Sequence, residues 1–194
     1  MNDNSRTSPF LPKPTLKGAL TTLEPATLDH LPDLAEAVSD PEVDRLTGTH
    51  ATFTTGQLEK WYGSRADQDD RADFAIVDNE TGRAVGETVL NGWDEDNRSA
   101  SFRTFIGAKG RGRGLGTEAT ALTVDYGFRT IGLNRIGLEV YAFNPRAIHV
   151  YEKVGFVREG VLRQALRWEG EWVDAIVMSV LSEAWTARVT DMGS

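Results

Sequence analysis

The stretch 111–119 combines three glycines and two arginines in a turn that leads into a predicted helix. Alternating apolar residues over 101–107 predict a strand before this turn, and apolar residues at helical spacing over 117–130 predict a helix after it. A helix that begins at glycines leaves backbone N–H groups free at its first turn, where the helix dipole also favours anions. Phosphate groups bind at such helix starts, and Lys109 adds positive charge there. The stretch therefore predicts a phosphate-binding loop.

Two known phosphate-binding motifs can be compared with this loop. A Walker-type loop ends in Gly-Lys-Ser/Thr, whereas here Thr117 follows Gly116 directly, so that motif is excluded. A dinucleotide fingerprint fits better, with Gly114, Gly116 and Ala119 as its small residues and Glu139 as the acidic residue on the next strand. It would imply an NAD-binding oxidoreductase. A doubly wound sheet needs several further strand–helix units, however, and only 75 residues follow Ala119.

Two further segments extend the pattern beyond the glycine loop. The loop reads Arg-x-x-Gly-x-Gly from Arg111, and it is followed by Leu-Glu-Val-Tyr-Ala-Phe-Asn over 138–144 and by Tyr-Glu-Lys-Val-Gly-Phe over 151–156. In this order and spacing, residues 101–160 resemble the GCN5-related N-acetyltransferases. The closing stretch 168–179 is similar to the branch that contains the ribosomal-protein N-terminal acetyltransferases and the spermidine acetyltransferases.

The resemblance implies an acetyl-coenzyme A-dependent N-acetyltransferase that transfers the acetyl group directly while both substrates are bound. Its acceptor would be a primary amine of a protein or peptide N-terminus, a polyamine, or a small amine metabolite or antibiotic. The first alternative function is a non-catalytic acyl-coenzyme A-binding module. The second, which the sequence supports less, is an NAD-binding oxidoreductase.

The resemblance also implies which residues hold acetyl-coenzyme A. Asn144 would contact the pantetheine arm, and a bulge around Phe105 or Ile106 would offer an unpaired N–H group to the oxyanion that develops on the thioester carbonyl. The phosphates would be held by the loop residues Arg111, Gly112, Arg113, Gly114, Gly116 and Thr117.

Three residues are candidates for proton transfer. Tyr151 is the candidate general acid, since a phenol can protonate the leaving thiolate. Glu139 is the candidate base that the resemblance implies; it lies between two apolar residues of a predicted strand, so it points to the opposite face. Partial desolvation there would raise the pKa of its carboxyl. Glu87 is the second candidate base, and proton transfer through water is the third option.

One residue departs from the family's pattern. Arg103 lies in the strand before the loop, where many relatives carry an acidic residue near the acceptor. The positive charge of an arginine disfavours an acceptor that carries only positive charge. Arg103 therefore favours an acceptor that carries a carboxylate, such as an amino acid or a peptide.

The composition limits the other classes of function. The chain has 194 residues and a net charge of −8, which argues against nucleic acid as a partner. It contains no cysteine to act as nucleophile, and its three histidines show no metal-ligand spacing. No apolar run approaches the roughly 20 residues of a membrane helix. We expect a cytoplasmic protein that binds neither metal nor membrane. The sequence leaves open whether it forms a homodimer.

The predicted organisation is one acetyltransferase domain over 15–185, with a disordered arm over 1–14 and a tail over 186–194. Turn residues at 79–82 and 94–97 predict two antiparallel hairpins, and strands near 156–168 and 173–181 predict a third. The predicted fold class is α/β. It is a mixed, mostly antiparallel sheet of the acetyltransferase type, with a parallel pair splayed at the cofactor site and about four flanking helices.

Overall fold

The alternating segments of the sequence form one eight-stranded sheet in the computed structural model, which describes residues 8–192. Among these residues, six α-helices pack around the sheet. The strands are β1 (Leu16–Lys17), β2 (Thr21–Pro25), β3 (Ala72–Asp78), β4 (Arg83–Asp94), β5 (Ser99–Ile106), β6 (Arg135–Tyr141), β7 (Val157–Trp168) and β8 (Glu171–Leu181). The helices are α1 (Leu31–Val38), α2 (Pro41–Thr47), α3 (Thr55–Arg65), α4 (Leu115–Tyr126), α5 (Pro145–Val154) and α6 (Ser182–Met192).

The strand order is β1-β2-β3-β4-β5-β6-β8-β7, and every neighbouring pair is antiparallel except β5 and β6. The predicted hairpins are confirmed, because short turns join β3 to β4, β4 to β5 and β7 to β8. A parallel pair needs a crossover connection, and α4 lies in the connection between β5 and β6. The predicted fold class is therefore confirmed.

The parallel pair separates after three residues. Residues 99–101 of β5 pair with 135–137 of β6, and beyond this point each strand pairs only with its other neighbour. Residues 102–106 of β5 and 138–141 of β6 therefore form the two sides of a gap in the sheet.

The helices cover both faces of the sheet. The larger apolar core lies on the face with α4, α5 and α6 and includes Leu115, Ile148 and Trp185. A smaller core lies on the opposite face, where Leu34 of α1 and Leu58 of α3 are buried. The two helix layers thus leave the gap between β5 and β6 at the centre of the molecule.

Both ends of the predicted domain carry more ordered structure than the sequence indicates. Residues 8–14 are not a disordered arm: Phe10 is fully buried with its ring 5.4 Å from that of Trp93, and the Lys13 ammonium donates to the carbonyl of Ala66 at 2.8 Å. The tail predicted from 186 instead continues α6 to Met192. Residues 1–7 and 193–194 lie outside the described residues.

Candidate active site

The gap between the splayed strands opens into a cavity of about 970 Å³. Its walls include the facing parts of β5 and β6, part of β4, the loop before α4, the start of α5, and the segment that runs from α2 to α3. The fold therefore brings residues from widely separated parts of the sequence into one site.

The loop before α4 presents a row of backbone N–H groups without a protein acceptor. Gly114 is the N-cap of α4, and the N–H groups of Thr117 and Glu118 both donate to its carbonyl oxygen at 3.1 Å. Within the described part of the chain, the N–H groups of 112–116 have no hydrogen-bond acceptor. They lie at the positive end of the helix dipole, so this helix start can bind an anion.

Two glycines keep side chains away from this row. Gly114 has a φ of +84°, a left-handed conformation that any residue with a Cβ adopts only with strain. At Gly116, an added Cβ would lie 3.3 Å from Cγ1 of Ile106. The loop backbone is thus closely packed against the end of β5.

Arg111 ties the loop to its neighbours. Its Nε donates to the carbonyl of Ile106 at 3.0 Å, and its guanidinium forms ion pairs with Asp40 at 2.7 Å and with Glu42. The side chain therefore connects the loop to the start of α2.

The other basic side chains of the loop are also paired with acidic residues. Arg113 binds Asp78 at 2.7 Å and Glu80 at 2.5 Å, and its hydrogen bond holds the pKa of Asp78 below the usual value. Lys109 binds Glu36 at 2.7 Å. The positive charge that the sequence predicts at this loop is thus balanced by acidic partners that lie far away in the sequence. The backbone N–H groups are the donors left for an anion.

Helix α5 places Asn144 and Tyr151 in the cavity wall. The Asn144 side chain caps the helix by accepting a hydrogen bond from the N–H of Ala147 at 3.1 Å. Tyr151 is buried, with its ring edge-on to that of Phe102 at 6.1 Å. Burial raises the pKa of this phenol, and its hydroxyl forms no hydrogen bond with the part of the chain whose side chains are described. Tyr151 therefore holds a proton that it can donate into the cavity.

The predicted bulge around Phe105 or Ile106 is wrong. Phe105 lies opposite Glu87 and Ile106 opposite Gly86, in a register with β4 that is continuous from 101 to 106. The register shift between these strands falls at 91–94 instead. Along a strand, alternate N–H groups point to opposite sides, so the splay by itself leaves N–H groups of β5 directed into the gap.

Glu87 is a buried carboxyl group in the cavity wall, where its side chain is 8% exposed. Burial, together with the negative charge of buried Asp73, raises its pKa to about 7, and a hydrogen bond from Tyr62 acts in the opposite direction. A carboxyl group with a pKa near neutrality can take up and release a proton under physiological conditions.

Glu139 also lines the cavity, but it is exposed. Leu138 and Val140 on either side are buried, which confirms that Glu139 points to the opposite face. The predicted desolvation of its carboxylate is wrong, because the face that it shares with the splayed part of β5 is open. Of the two candidate bases, Glu87 is the one in a desolvated setting.

Helix α2 forms a wall over the gap that is not among the elements predicted from the sequence. Asp40 accepts a hydrogen bond from the N–H of Glu42 at 2.9 Å, Pro41 occupies the first turn, and Gly48 ends the helix with a φ of +67°. Asp-Pro at the start and glycine at the end are typical helix signals. They were present in the sequence and predict this short helix.

Aromatic residues of α3 and the preceding loop complete this wall. Phe53 and Trp61 pack edge to face at 5.7 Å, and the Arg65 guanidinium lies 4.4 Å from the Trp61 ring. Tyr62 follows directly, and its interaction with Glu87 contributes to the raised pKa of the Tyr62 phenol, of which burial is the main cause. No sequence signal pointed to these residues, because their place at the site depends on how α3 packs against α1 and the sheet.

Within residues 8–192, no group of three or more His, Cys, Asp or Glu side chains lies close enough together to hold a metal ion. None of the helices in this part of the chain has the length and apolar character needed to cross a bilayer.

A mostly antiparallel sheet, one splayed parallel pair and an anion-binding helix start beside the gap are together typical of the GCN5-related N-acetyltransferase fold. The chain belongs to the acetyltransferase (GNAT) domain family, whose sequence profile matches residues 21–157.

Individual relatives carry the same family's names. The spermidine N(1)-acetyltransferase of Escherichia coli strain K12 is 33% identical over 122 residues, which are 63% of this chain and 64% of that protein. The uncharacterized N-acetyltransferase p20 of Bacillus licheniformis is 30% identical over 112 residues, 58% of this chain and 63% of that protein. Both matches span less than two thirds of the relative's own length.

Solved structures show the same fold. The spermidine N-acetyltransferase from Vibrio cholerae, in complex with CoA and spermine, has a TM-score of 0.80 at 24% identity, covering 87% of this chain and 99% of that one. A GCN5-related N-acetyltransferase from Brucella melitensis has a TM-score of 0.75 at 26% identity, covering 90% of this chain and 81% of that one.

Proposed function

We propose that this chain is an acetyl-coenzyme A-dependent N-acetyltransferase that transfers the acetyl group directly to a primary amine. The observation that carries the proposal is the row of unpartnered N–H groups over 112–116, which borders the cavity that Tyr151 and Glu87 line. Family membership and the names of the Escherichia coli and Vibrio cholerae relatives support an amine as the acceptor.

The residues present fit a coenzyme A thioester. Backbone N–H groups of 112–116 and the start of α4 at Leu115–Tyr126 suit a pyrophosphate. Asn144, Phe105 and Ile106 border the cavity where the pantetheine arm and the acyl group would lie. When bound, the thioester supplies an acyl group that an amine can attack.

The chain's own residues then move two protons. Glu87 takes a proton from the acceptor ammonium, and the neutral nitrogen forms the new C–N bond. As the C–S bond breaks, the Tyr151 hydroxyl gives its proton to the sulfur, and the second proton that the nitrogen loses on becoming an amide returns to the Tyr151 phenolate through water. An N–H group of 102–106 that is directed into the gap stabilises the negative charge on the carbonyl oxygen. Glu139 is the second candidate for the base, through water in the open part of the cavity.

Two other functions have less support. An NAD-binding oxidoreductase of the doubly wound type needs a mostly parallel sheet, whereas this sheet has one parallel pair. A non-catalytic acyl-coenzyme A-binding module needs neither a partnerless phenol nor a buried carboxyl group with a pKa near 7 in the same cavity. Their presence favours catalysis.

Gly116→Val tests the proposed coenzyme A site. Because the new side chain lies in the first turn of α4, against Ile106, it should displace the phosphates and weaken coenzyme A binding by roughly tenfold or more. Isothermal titration calorimetry with coenzyme A measures this. Gly116 suits the test better than Gly114, where a positive φ would add backbone strain.

Gly56→Val is the matched control. Gly56 occupies the same second position of α3, and an added Cβ there meets nothing within 4 Å. This variant should bind coenzyme A as the unmodified chain does. Equal affinity of both variants and the unmodified chain would remove the loop from the coenzyme A site.

Direct transfer predicts that no acetyl-enzyme forms. The chain has no cysteine, and holding amine and thioester in one cavity supplies acceleration through proximity. Intact mass spectrometry after brief mixing with acetyl-coenzyme A alone should show no stoichiometric acetyl group. A kinetically competent acetylated form of the chain would contradict direct transfer.

The cytoplasmic location, the absence of nucleic acid, membrane and metal partners, and the choice between monomer and homodimer stay predictions. So does membership of the ribosomal-protein N-terminal acetyltransferase branch.

A further inference from the structure

The arginines that line the cavity differ in one respect. Four of them have a carboxylate partner among the described residues, and Arg103 has none. The four pairs are Arg71 with Asp73 at 2.6 Å, Arg111 with Asp40 at 2.7 Å, Arg135 with Glu159 at 2.7 Å, and Arg146 with Glu42 at 2.8 Å. Arg103 is exposed and forms no ion pair with a described residue, so its guanidinium can pair with a molecule that enters the cavity.

The register of the sheet places Arg103 beside both candidate bases. Arg103 lies opposite Val89, and Glu87 is two residues from Val89 on the same face, so Arg103 and Glu87 are diagonal neighbours. Such neighbours lie roughly 7–8 Å apart, within reach of long side chains. Glu139 and Arg103 each follow the last parallel pair, Ser101 with Gly137, by two residues, so they face each other across the gap.

This arrangement puts one positive charge between two carboxyl groups at the acceptor side of the cavity. A polyamine carries only positive charges, so one of them would approach Arg103, and like charges repel. A carboxylate would instead pair with the planar guanidinium through two parallel hydrogen bonds. The cavity thus suits a molecule that carries both an amine and a carboxylate.

We infer that Arg103 binds a carboxylate of the acceptor, so that the acceptor is a zwitterionic amine: a free amino acid, or a peptide with an acidic residue near its N-terminus. The inference rests on the proposed acetyltransferase function and names its substrate class. Arg103 acts in acceptor recognition, whereas proton transfer remains with Glu87 and Tyr151.

The test compares pairs of acceptors that differ only in a carboxylate. The pairs are tyrosine with tyramine, lysine with cadaverine, and a Glu-Ala peptide with its Gln-Ala counterpart, and spermidine is added as a polyamine. Coenzyme A thiol release is followed with background hydrolysis subtracted. We expect kcat/KM of the unmodified chain to be roughly 10-fold to 100-fold higher for the carboxylate member of at least one pair, the range of a charge-assisted hydrogen bond. The amino acid pairs test whether the acceptor is a free amino acid, and the peptide pair tests whether it is a peptide with an acidic residue near its N-terminus.

Arg103→Glu should reverse this preference, mainly through the KM of the acceptor, while the KM of acetyl-coenzyme A stays unchanged. Arg103→Lys should keep part of the preference, because it keeps the charge but not the planar pairing geometry. Arg129→Ala is the control: it removes an exposed arginine whose partner is Asp125 on α4, away from the cavity.

The failure of this inference is distinguishable from failure of the proposed function. Turnover that is equal for both members of every pair, or highest with spermidine, would overturn the carboxylate assignment and leave an acetyltransferase. The carboxylate assignment would also be overturned if the chain binds coenzyme A but releases no thiol with any acceptor that carries a carboxylate. Absence of coenzyme A binding would instead contradict the proposed function.

Discussion

Tyr151→Phe is expected to lower kcat by about 10²-fold or more while leaving the affinity for acetyl-coenzyme A nearly unchanged. The substitution removes only the hydroxyl, and the ring keeps its edge-on contact with Phe102. Burial raises the pKa of Tyr151, so the phenol stays protonated throughout the working pH range and can protonate the thiolate. Steady-state kinetics with thiol detection, together with calorimetry for the cofactor, separates the two effects.

Tyr126→Phe is the matched control for this experiment. Tyr126 is likewise buried, packs edge-on against Phe74 at 5.4 Å, and has a hydroxyl with no hydrogen-bond partner among the described residues. It lies outside the cavity wall. Its loss should leave kcat unchanged and cost no stability, since an unsatisfied buried hydroxyl is removed. Near-normal kcat in Tyr151→Phe would assign Tyr151 to packing and leave the general acid to water.

Features that depend on short stretches of sequence were predictable. The two ends of helix α5 (Pro145–Val154) follow from local signals in the sequence, because Asn144 caps its start, Pro145 occupies its first turn and Gly155 ends it. The glycine loop and the hairpins were predictable for the same reason. The short α2 carries equally local signals, with Asp-Pro at its start and glycine at its end.

Features that depend on partners distant in the sequence were not predictable. Arg111 was expected to face phosphates, yet its partner Asp40 lies 71 residues away, and no local pattern joins them. The burial of Glu87 depends on Tyr62 from α3 and Asp73 from β3. Alternation along β6 gave the correct face for Glu139. Whether that face is covered or open depends on the splay, which one strand's sequence does not encode.

Glu87→Gln is expected to lower kcat/KM by roughly 10²-fold, as for loss of a general base. For the unmodified chain, kcat/KM should rise as pH increases through about 7, because Glu87 must be deprotonated to accept the proton of the ammonium. The variant should lack this inflection. A pH profile of kcat/KM for both proteins, with one acceptor, checks the two expectations.

The same substitution is expected to stabilise the fold at alkaline pH. The pKa of Glu87 is about 7 in the folded chain against an ordinary 4.5, so the folded state retains a proton that the unfolded state loses as pH rises from 4.5 to 7. Stability therefore falls through this window, and the cost above pH 7 levels off at about 3 kcal/mol. Glutamine does not ionise, so the variant should gain up to about 3 kcal/mol of unfolding free energy at pH 8 and little near pH 4. Urea denaturation at both pH values measures it.

Glu139→Gln is the control for both effects. Its carboxylate is exposed, so replacing it should bring no comparable gain in the free energy of unfolding at pH 8. A role for Glu87 as the base requires that Glu87→Gln is more stable and slower, and that Glu139→Gln is neither. If Glu87→Gln is more stable at pH 8 but keeps its kcat/KM and the inflection of its pH profile, the buried carboxyl group only destabilises the fold and has no part in catalysis. The base is then Glu139 or a water molecule in the open half of the cavity, and a loss of activity in Glu139→Gln decides between these two.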